Sequence, residues 1–521
     1  MSGKRRRRLR GAENRALKGY APLIVLVAAL IAMVAVVPSQ VPEGEAATGG
    51  GTATEVGEGQ PASGWGTTVT ACSPEGAQVP DMSYSPPCFA FTGDNGGATA
   101  RGVTADTIRV AYRVTPDQNL LKTLADLGGV ELDESNEELA RTAEGLVEYF
   151  NQTFQFYGRR IELVRYDGRG QLLQEFLGAG QDAATNDSIR VANEIGAFAD
   201  ITGLSQPYAD ALFRNGVISV GAPYMSREWF NARRPYAWSN VPDCTAVSDV
   251  SAEYTNKRLL GRDALFAGDG LEGEPRTMAV IAPNNLEYQQ CADSFEEGLA
   301  AEGNALTLRL DYTLDVATLQ SQAANLLAQV KSENVTSVSC ACDPIMQMYL
   351  AEEATAQGYE PEWLVAGVGF IDLDLGGQII ANRAGDQWNR AFGGSRWATA
   401  QSPQTSEAHA AYRSVRQDEP SELVDQIYAQ ILTVALGIQM AGPNLTPETF
   451  ETGLFAFPRS SGQAGTWDFS PEHYTPVVDL REVWWSPDAV SPFNGKPGTW
   501  VDTGTRWNDG EIPSGDPEVF P

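Results

Sequence analysis

From residue 105 onward, short runs of β-branched and apolar residues alternate with longer stretches in which apolar positions recur at helical spacing. TIRVAYRV (107–114) predicts a strand, and ESNEELARTAEGLVEYFNQTF (134–154) predicts a helix with apolar positions 139, 143, 146, 147 and 150 on one face. RIELVRYD (160–167), AFADITG (197–203) and VISVGA (217–222) predict further strands, separated by helices over DSIRVANEI (187–195) and YADALFRNG (208–216). The rhythm restarts at RTMAVIA (276–282). It then runs through helix QQCADSFEEGLAAEG, strand ALTLRLDY, helix VATLQSQAANLLAQVKSEN, strand VTSVSCAC, helix IMQMYLAEEATAQGY and strand EWLVAGVG. A late helical stretch (421–442) precedes TPETFETGLFAF and the strand-like VVDLREVWW (477–485). Strands alternating with helices are the pattern of parallel sheets covered on both faces. The fold class predicted is therefore α/β, with two doubly wound parallel-sheet lobes. The last stretch, 486–521, is rich in Pro, Gly, Trp and Asp and predicts an irregular tail.

The N-terminal part is patterned differently. Residues 1–20 carry eight Lys/Arg and one acid, and 21–37 (APLIVLVAALIAMVAVV) contain no charge. A basic flank before an apolar run of about 17 residues places the N-terminus in the cytoplasm and reads as a membrane anchor, with the apolar core of a cleaved signal peptide as the alternative. Residues 38–102 read as a flexible Gly/Thr/Pro/Glu linker followed by a Cys- and Pro-rich lead-in. Everything beyond the apolar run is then extracytoplasmic, either on a single-pass protein or on a secreted one.

Length and charge narrow the function. A chain of 521 residues holds two to four domains. A net charge of −30 excludes phosphate-neutralising contact with nucleic acid, and the charge becomes −37 once the basic first 20 residues are set aside. Six cysteines without a CxxC pair, outside the cytoplasm, point to structural disulfides among Cys72, Cys88, Cys244, Cys291, Cys340 and Cys342. Cys72 and Cys88 bracket a Pro-rich loop and are expected to pair. The Cys340-x-Cys342 spacing resembles a soft-metal ligand pair, but with only His409 and His473 available no metal site is predicted.

Ligands of open parallel sheets bind outside the carboxyl ends of the strands. The loops in question are RVTPDQ, DITGLSQPY and GAPYMS in the first half, and PNNLEY, YTLD, CACDPIM and GVGFIDLD in the second. They carry hydroxyls, amides, tyrosines and a few acids. No GxSxG, HExxH, P-loop or strand-following GxGxxG occurs, so no enzyme and no cofactor is predicted.

The order of elements, together with GVTADTIRV, LSQPYADALFRNGVISVGAP, PNNLEYQQCADSFEEGL and the late helix before AGPNLTPETF, resembles the type I periplasmic solute-binding proteins of the branched-chain amino-acid and amide class (Leu/Ile/Val-binding-like). The Cys-x15-Cys lead-in and GDNGGAT resemble the actinobacterial branch. The resemblance implies a hinged clamp with lobe 1 over 103–245 and about 405–465, and lobe 2 over 250–400 and about 466–485. It also implies an amino-acid or amide-like ligand, an ABC permease as partner, and no turnover. A ligand carboxylate would meet Thr202, Ser205, Tyr224 and Ser226, with Tyr288 closing over it and Asp343, or an acid near Thr313, meeting the amine. Arg113 departs from the family's first loop and would either meet an anionic ligand or pair with a surface acid. Two bridges among Cys244, Cys291, Cys340 and Cys342 are implied, in any of three connectivities. A ligand-sensing ectodomain or scaffold of the same fold is the alternative.

Overall fold

The computed structural model describes residues 54–55, 76–91, 93–117, 122, 125–126 and 134–521. The basic segment and the apolar run at 21–37 lie outside the described residues, as does Cys72. Among the described residues no helix is long and apolar enough to cross a membrane.

The first lobe is a five-stranded parallel sheet of β1 (Thr107–Val114), β2 (Arg160–Asp167), β3 (Ala199–Asp200), β4 (Ile218–Val220) and β5 (Ala237–Trp238), in the order β2-β1-β3-β4-β5. Helix α1 (Asn136–Thr153) covers one face, and its start is fixed by a reciprocal capping box between Ser135 and Glu138. The predicted helix at 187–195 instead begins earlier, as α2 (Gln181–Arg190), and ends in a wider turn over Val191–Ile195. Helix α3 (Gln206–Arg214) starts at Ser205, whose hydroxyl accepts from the Tyr208 amide.

The second lobe carries β6 (Met278–Pro283), β7 (Leu308–Tyr312), β8 (Ser337–Cys340), β9 (Glu362–Val365) and β10 (Ala391–Ser395). Its intervening helices are α4 (Cys244–Tyr254), α5 (Leu286–Ala301), α6 (Leu319–Ser332), α7 (Pro344–Gln357) and α8 (Asp374–Trp388). Strands β6, β8, β9 and β10 are buried on both faces, which is why they read as continuous apolar runs.

After β10 the chain returns to the first lobe. There it forms α9 (Glu407–Val415), α10 (Val424–Ala441) and α11 (Pro447–Phe455), then the small hairpin β11 (Ser460–Gly462) and β12 (Gly465–Trp467). Phe150, Phe154, Trp238 and Phe450 share the core of the first lobe. The last crossing leads to β13 (Asp479–Val490) and β14 (Pro497–Asn508), which complete a seven-stranded sheet in the order β14-β13-β10-β9-β8-β6-β7.

That hairpin corrects the expectation of an irregular tail over 486–521. Strand β13 pairs antiparallel with β10 and with β14, so the second sheet is mixed. Pro487, Pro492, Pro497, Gly495 and Gly498 masked the strands in the sequence. The structure takes up the break at a register shift between Ser486 and Val490, and sets Trp485 edge-on to Trp500 at a centroid distance of 5.4 Å. Asp374, at the start of α8, accepts from the Trp500 amide (2.9 Å) and the Thr499 hydroxyl (2.7 Å), fastening the hairpin to the lobe. Beyond it, Ile512 and Val519 are buried in the second lobe's core.

Three arginines hold the crossings together. Arg396, 1% exposed, donates to the Val477 carbonyl (2.8 Å), the Ala246 carbonyl (3.0 Å) and Asp509 (2.9 Å). Arg481 and Arg506 donate to the Trp397 carbonyl, both at 3.0 Å. Asp243 exchanges hydrogen bonds with Thr475 across two crossings.

At the amino ends of the second sheet's strands, Arg276 and Glu362 form a bidentate pair (2.8 and 2.9 Å), with side chains 1% and 0% exposed. Removing one partner strands a buried charge, whereas replacing both with apolar groups does not. Chemical denaturation should show Glu362→Ala losing about 3–5 kcal/mol. The double variant Arg276→Met/Glu362→Leu should recover most of that loss; a double variant as unstable as the single one would contradict the assignment.

Candidate functional site

The carboxyl ends of both sheets face each other, and the loops that leave them enclose neighbouring cavities. One, of about 60 Å³, lies against Tyr224, Tyr288, Cys291, Cys342 and Asp343. A second, of about 140 Å³, lies between Thr202, Leu204 and Pro223 of the first lobe and Phe370, Leu373 and Trp397 on the other side. A third, of about 160 Å³, lies along the crossings beside Asn240, Asp372, Trp397 and Gln426. Phe176 lines both of the first two.

Phe370 stands between them. Its ring meets Tyr224 edge-on (5.2 Å), Phe176 (6.5 Å) and Trp397 (6.1 Å). Its amide donates to the Tyr224 hydroxyl at 3.2 Å, a direct bond from one lobe to the other. Phe370 and Tyr224 both take positive φ, 59° and 56°, an uncommon conformation for such residues that clusters at ligand sites and switches.

Of the seven residues expected at the site, the structure places Tyr224, Tyr288 and Asp343 around the smallest cavity and Thr202 on the second. Most are engaged within the protein. Arg113 is 2% exposed, and its guanidinium donates to Glu175 (2.6 and 2.9 Å) and to Asp187 (2.8 Å) with its edge over the Tyr208 ring. Burial alone would lower the pKa of that guanidinium; the Glu175 hydrogen bonds and charge reverse the effect and raise it. The fit depends on Gly170, where a Cβ would collide with both Arg113 and Glu175. Arg113 therefore serves the reading in which it pairs with acids, although those acids are buried rather than on the surface.

The first-lobe hydroxyls belong to the same network. Ser205 donates to Glu175 (2.6 Å), and Thr202 donates to Asp200 (2.6 Å) while accepting from the Arg113 amide (2.9 Å). Tyr208 also donates to Asp200 (2.6 Å). Burial raises the Asp200 pKa, and these bonds work against it. Ser226 caps the short helix Arg227–Asn231 and donates to Gln290 (2.6 Å).

In the second lobe Asp343 caps α7, accepting from the Ile345 and Met346 amides (both 3.0 Å) and from the Tyr312 hydroxyl (2.5 Å). Burial again raises its pKa. Tyr288 is the one residue of the seven whose side chain makes no hydrogen bond among the described residues. The cysteine connectivity is Cys244–Cys291 and Cys340–Cys342, and Cys88 is also disulfide-bonded. The first bridge ties α4 to α5 beside the smallest cavity. Among the described residues no cluster of His, Cys, Asp and Glu could hold a metal ion.

Residues that the sequence did not single out dominate the rest of the lining. Phe370 lies in the GVGFIDLD loop already marked as facing the cleft. Phe176, Trp397, Asn240, Gln426 and Gln430 carried no local signal. Asp372 follows in the same loop, accepting from Ser395 at 2.7 Å with its second oxygen unpartnered. Burial pushes its pKa up to about 6, with the Ser395 bond and the Arg481 charge acting in the opposite direction.

Relatives are remote. The family described as periplasmic binding protein matches residues 124–486. Among solved structures, the chain is similar to an ABC-transporter solute-binding protein from R. palustris in complex with 4-hydroxybenzoate. The identity is 11% over 78% of this chain and 98% of that one, with a TM-score of 0.54. It is also similar to a fatty acid ABC transporter substrate-binding protein from Thermomonospora curvata, 15% identical over 80% of this chain and 96% of that one (TM-score 0.53). A third is an ABC transporter substrate-binding protein from Aeropyrum pernix, 14% identical over 78% and 96% (TM-score 0.53). At these identities the likeness shows the fold alone. No curated protein matches the chain.

The Asp372 carboxyl gives a pH test. Its folded pKa of about 6 lies above the unfolded value near 3.9, so the folded state holds the extra proton between those values. Its stabilising contribution is complete below about pH 4 and is lost as the pH rises through about 6. Asp372→Asn removes that loss. Denaturation midpoints should show the variant gaining on the wild type by on the order of 2–3 kcal/mol between pH 4 and 7.5; a difference that is flat with pH would contradict the assignment.

Proposed function

Because the chain belongs to the periplasmic binding protein family, we propose that it is an extracytoplasmic solute-binding protein. Its two lobes clamp a small molecule at the facing carboxyl ends of their sheets and deliver it to an ABC-type importer. The family is made of solute-binding proteins, which are generally not enzymes, and on this reading the chain binds without turnover. The observation that carries the proposal is the set of neighbouring cavities between two α/β lobes that are joined only by three crossings in the described chain. Lobes linked by a few short segments close by hinge motion around a ligand.

The expected amino-acid or amide-like ligand divides on the site chemistry. The hydroxyls and acids that would hold a zwitterion, Thr202, Ser205 and Asp343, are each bonded inside their own lobe. Tyr288, Tyr224 and the surrounding aromatic rings remain to meet a solute. Residues 21–37 would hold the clamp at the membrane, with 38–70 as the spacer that lets it reach a permease, while Val79, Met82 and Tyr84 of the lead-in are packed into the first lobe's core.

A solute present at 100 times its Kd should stabilise the full chain by about 2.7 kcal/mol in a thermal-shift measurement. No response to amino acids, amides, aromatic compounds, sugars or organic acids would contradict the proposal.

A further inference from the structure

The chamber of about 140 Å³ has no charged residue among the described residues that line it. Its walls are rings and aliphatic side chains, chiefly Phe176, Phe370, Trp397, Leu204, Leu373 and Ile427. A cavity of about 150 Å³ with such a lining accepts a ring the size of benzene. Its polar groups are neutral. Besides Thr202, which is bonded to Asp200, they are the Tyr112 hydroxyl, the Trp397 indole N–H and the carboxamides of Asn240, Gln426 and Gln430. Asn240 is 7% exposed, and its carbonyl oxygen and that of Gln426 are buried without a partner. Whichever way an amide is turned, it offers both an acceptor and donors.

The charges in the surroundings are acidic or already paired: Arg396 and Arg481, which line the adjoining cavity of about 160 Å³, are held by Asp509 and Asp502. Glu175 and Asp200 lie behind Thr202 and Ser205, and Asp372 adjoins Leu373. The guanidinium of Arg113 is already held by Glu175 and Asp187. A carboxylate entering the chamber would leave water without a counter-charge, at a cost of several kcal/mol. An unpartnered carboxamide left facing an apolar ligand also costs free energy, so the occupant has to supply hydrogen bonds.

Resting on the function proposed above, we infer that the solute is an uncharged molecule. It has a flat, ring-sized apolar body that lies between Phe176, Phe370 and Trp397, and a neutral hydroxyl, carbonyl or amide group that pairs with Asn240 and Gln426. The site thereby excludes free amino acids and aromatic carboxylates of the same size. Discrimination of this kind follows from unpaired groups left in a buried site rather than from shape.

Isosteric pairs test the inference. Isothermal titration of the full chain with benzamide against benzoate, and with 4-hydroxybenzamide against 4-hydroxybenzoate, should show the neutral member binding at least tenfold tighter in each pair, and leucine binding no tighter than benzoate. Gln426→Leu should weaken benzamide about tenfold, and Gln430→Arg should shift the preference towards benzoate. Tighter binding of benzoate or leucine, or binding confined to sugars, would overturn the inference while leaving the solute-binding function intact. Benzamide affinity unchanged by substitution of Asn240, Gln426 and Gln430 would overturn it as well. Silence from every charged and neutral solute would remove both readings.

Discussion

Arg113 sits at the carboxyl end of β1, 2% exposed and beneath a loop that only glycine at 170 allows to approach so closely. A cation in that position has to be neutralised where it stands, since an unpaired buried charge costs several kcal/mol. Glu175 and Asp187 supply the counter-charge, and Ser205, Thr202, Tyr208 and Asp200 complete the hydrogen bonds. The consequence reaches the cleft. Thr202 and Ser205, two of the four side chains that the family resemblance assigns to a ligand carboxylate, are turned inward to hold the lobe's own charges. The chamber of about 140 Å³ beside them is lined by aromatic, aliphatic and neutral polar side chains.

The second lobe is arranged on the same principle. Asp343 and Asp374 each cap or fasten an element, and Arg396, Arg481 and Arg506 are spent on carbonyls of the crossing segments. Beyond the crossings, the lobes touch directly in two places: Phe370 meets Tyr224 and Phe176, and Gln290 and Asp249 of the second lobe meet Ser226, Glu228 and Arg227 of the first. The first of these is one hydrogen bond and a few ring edges, and the second is polar.

Local pattern made much of the fold legible. Strands 107–114 and 160–167 appear with those same limits, because alternation and β-branched content act within a few residues. The hairpin after residue 486 was not legible, since its prolines and glycines sit at bulges and turns whose place is set only by Trp485, Trp500 and Asp374 packing across the lobe. In the site, the loops were legible and the state of their side chains was not. Arg113 is separated from Glu175 by 62 residues and from Asp187 by 74, so its commitment to them is a property of the tertiary structure. Gln426 and Gln430 lie on a helix whose pattern reads as core, and nothing nearby in sequence distinguishes them.

The central claim is a two-lobed clamp held shut through Phe370 and its partners. Among the described residues there are no free cysteines, so spin labels can be introduced at the exposed Ile189 of the first lobe and Val316 of the second. The interlobe distance should be broad or long without ligand and contract to one short population when a stabilising solute is added. A distance distribution that no stabilising solute alters would contradict the clamp.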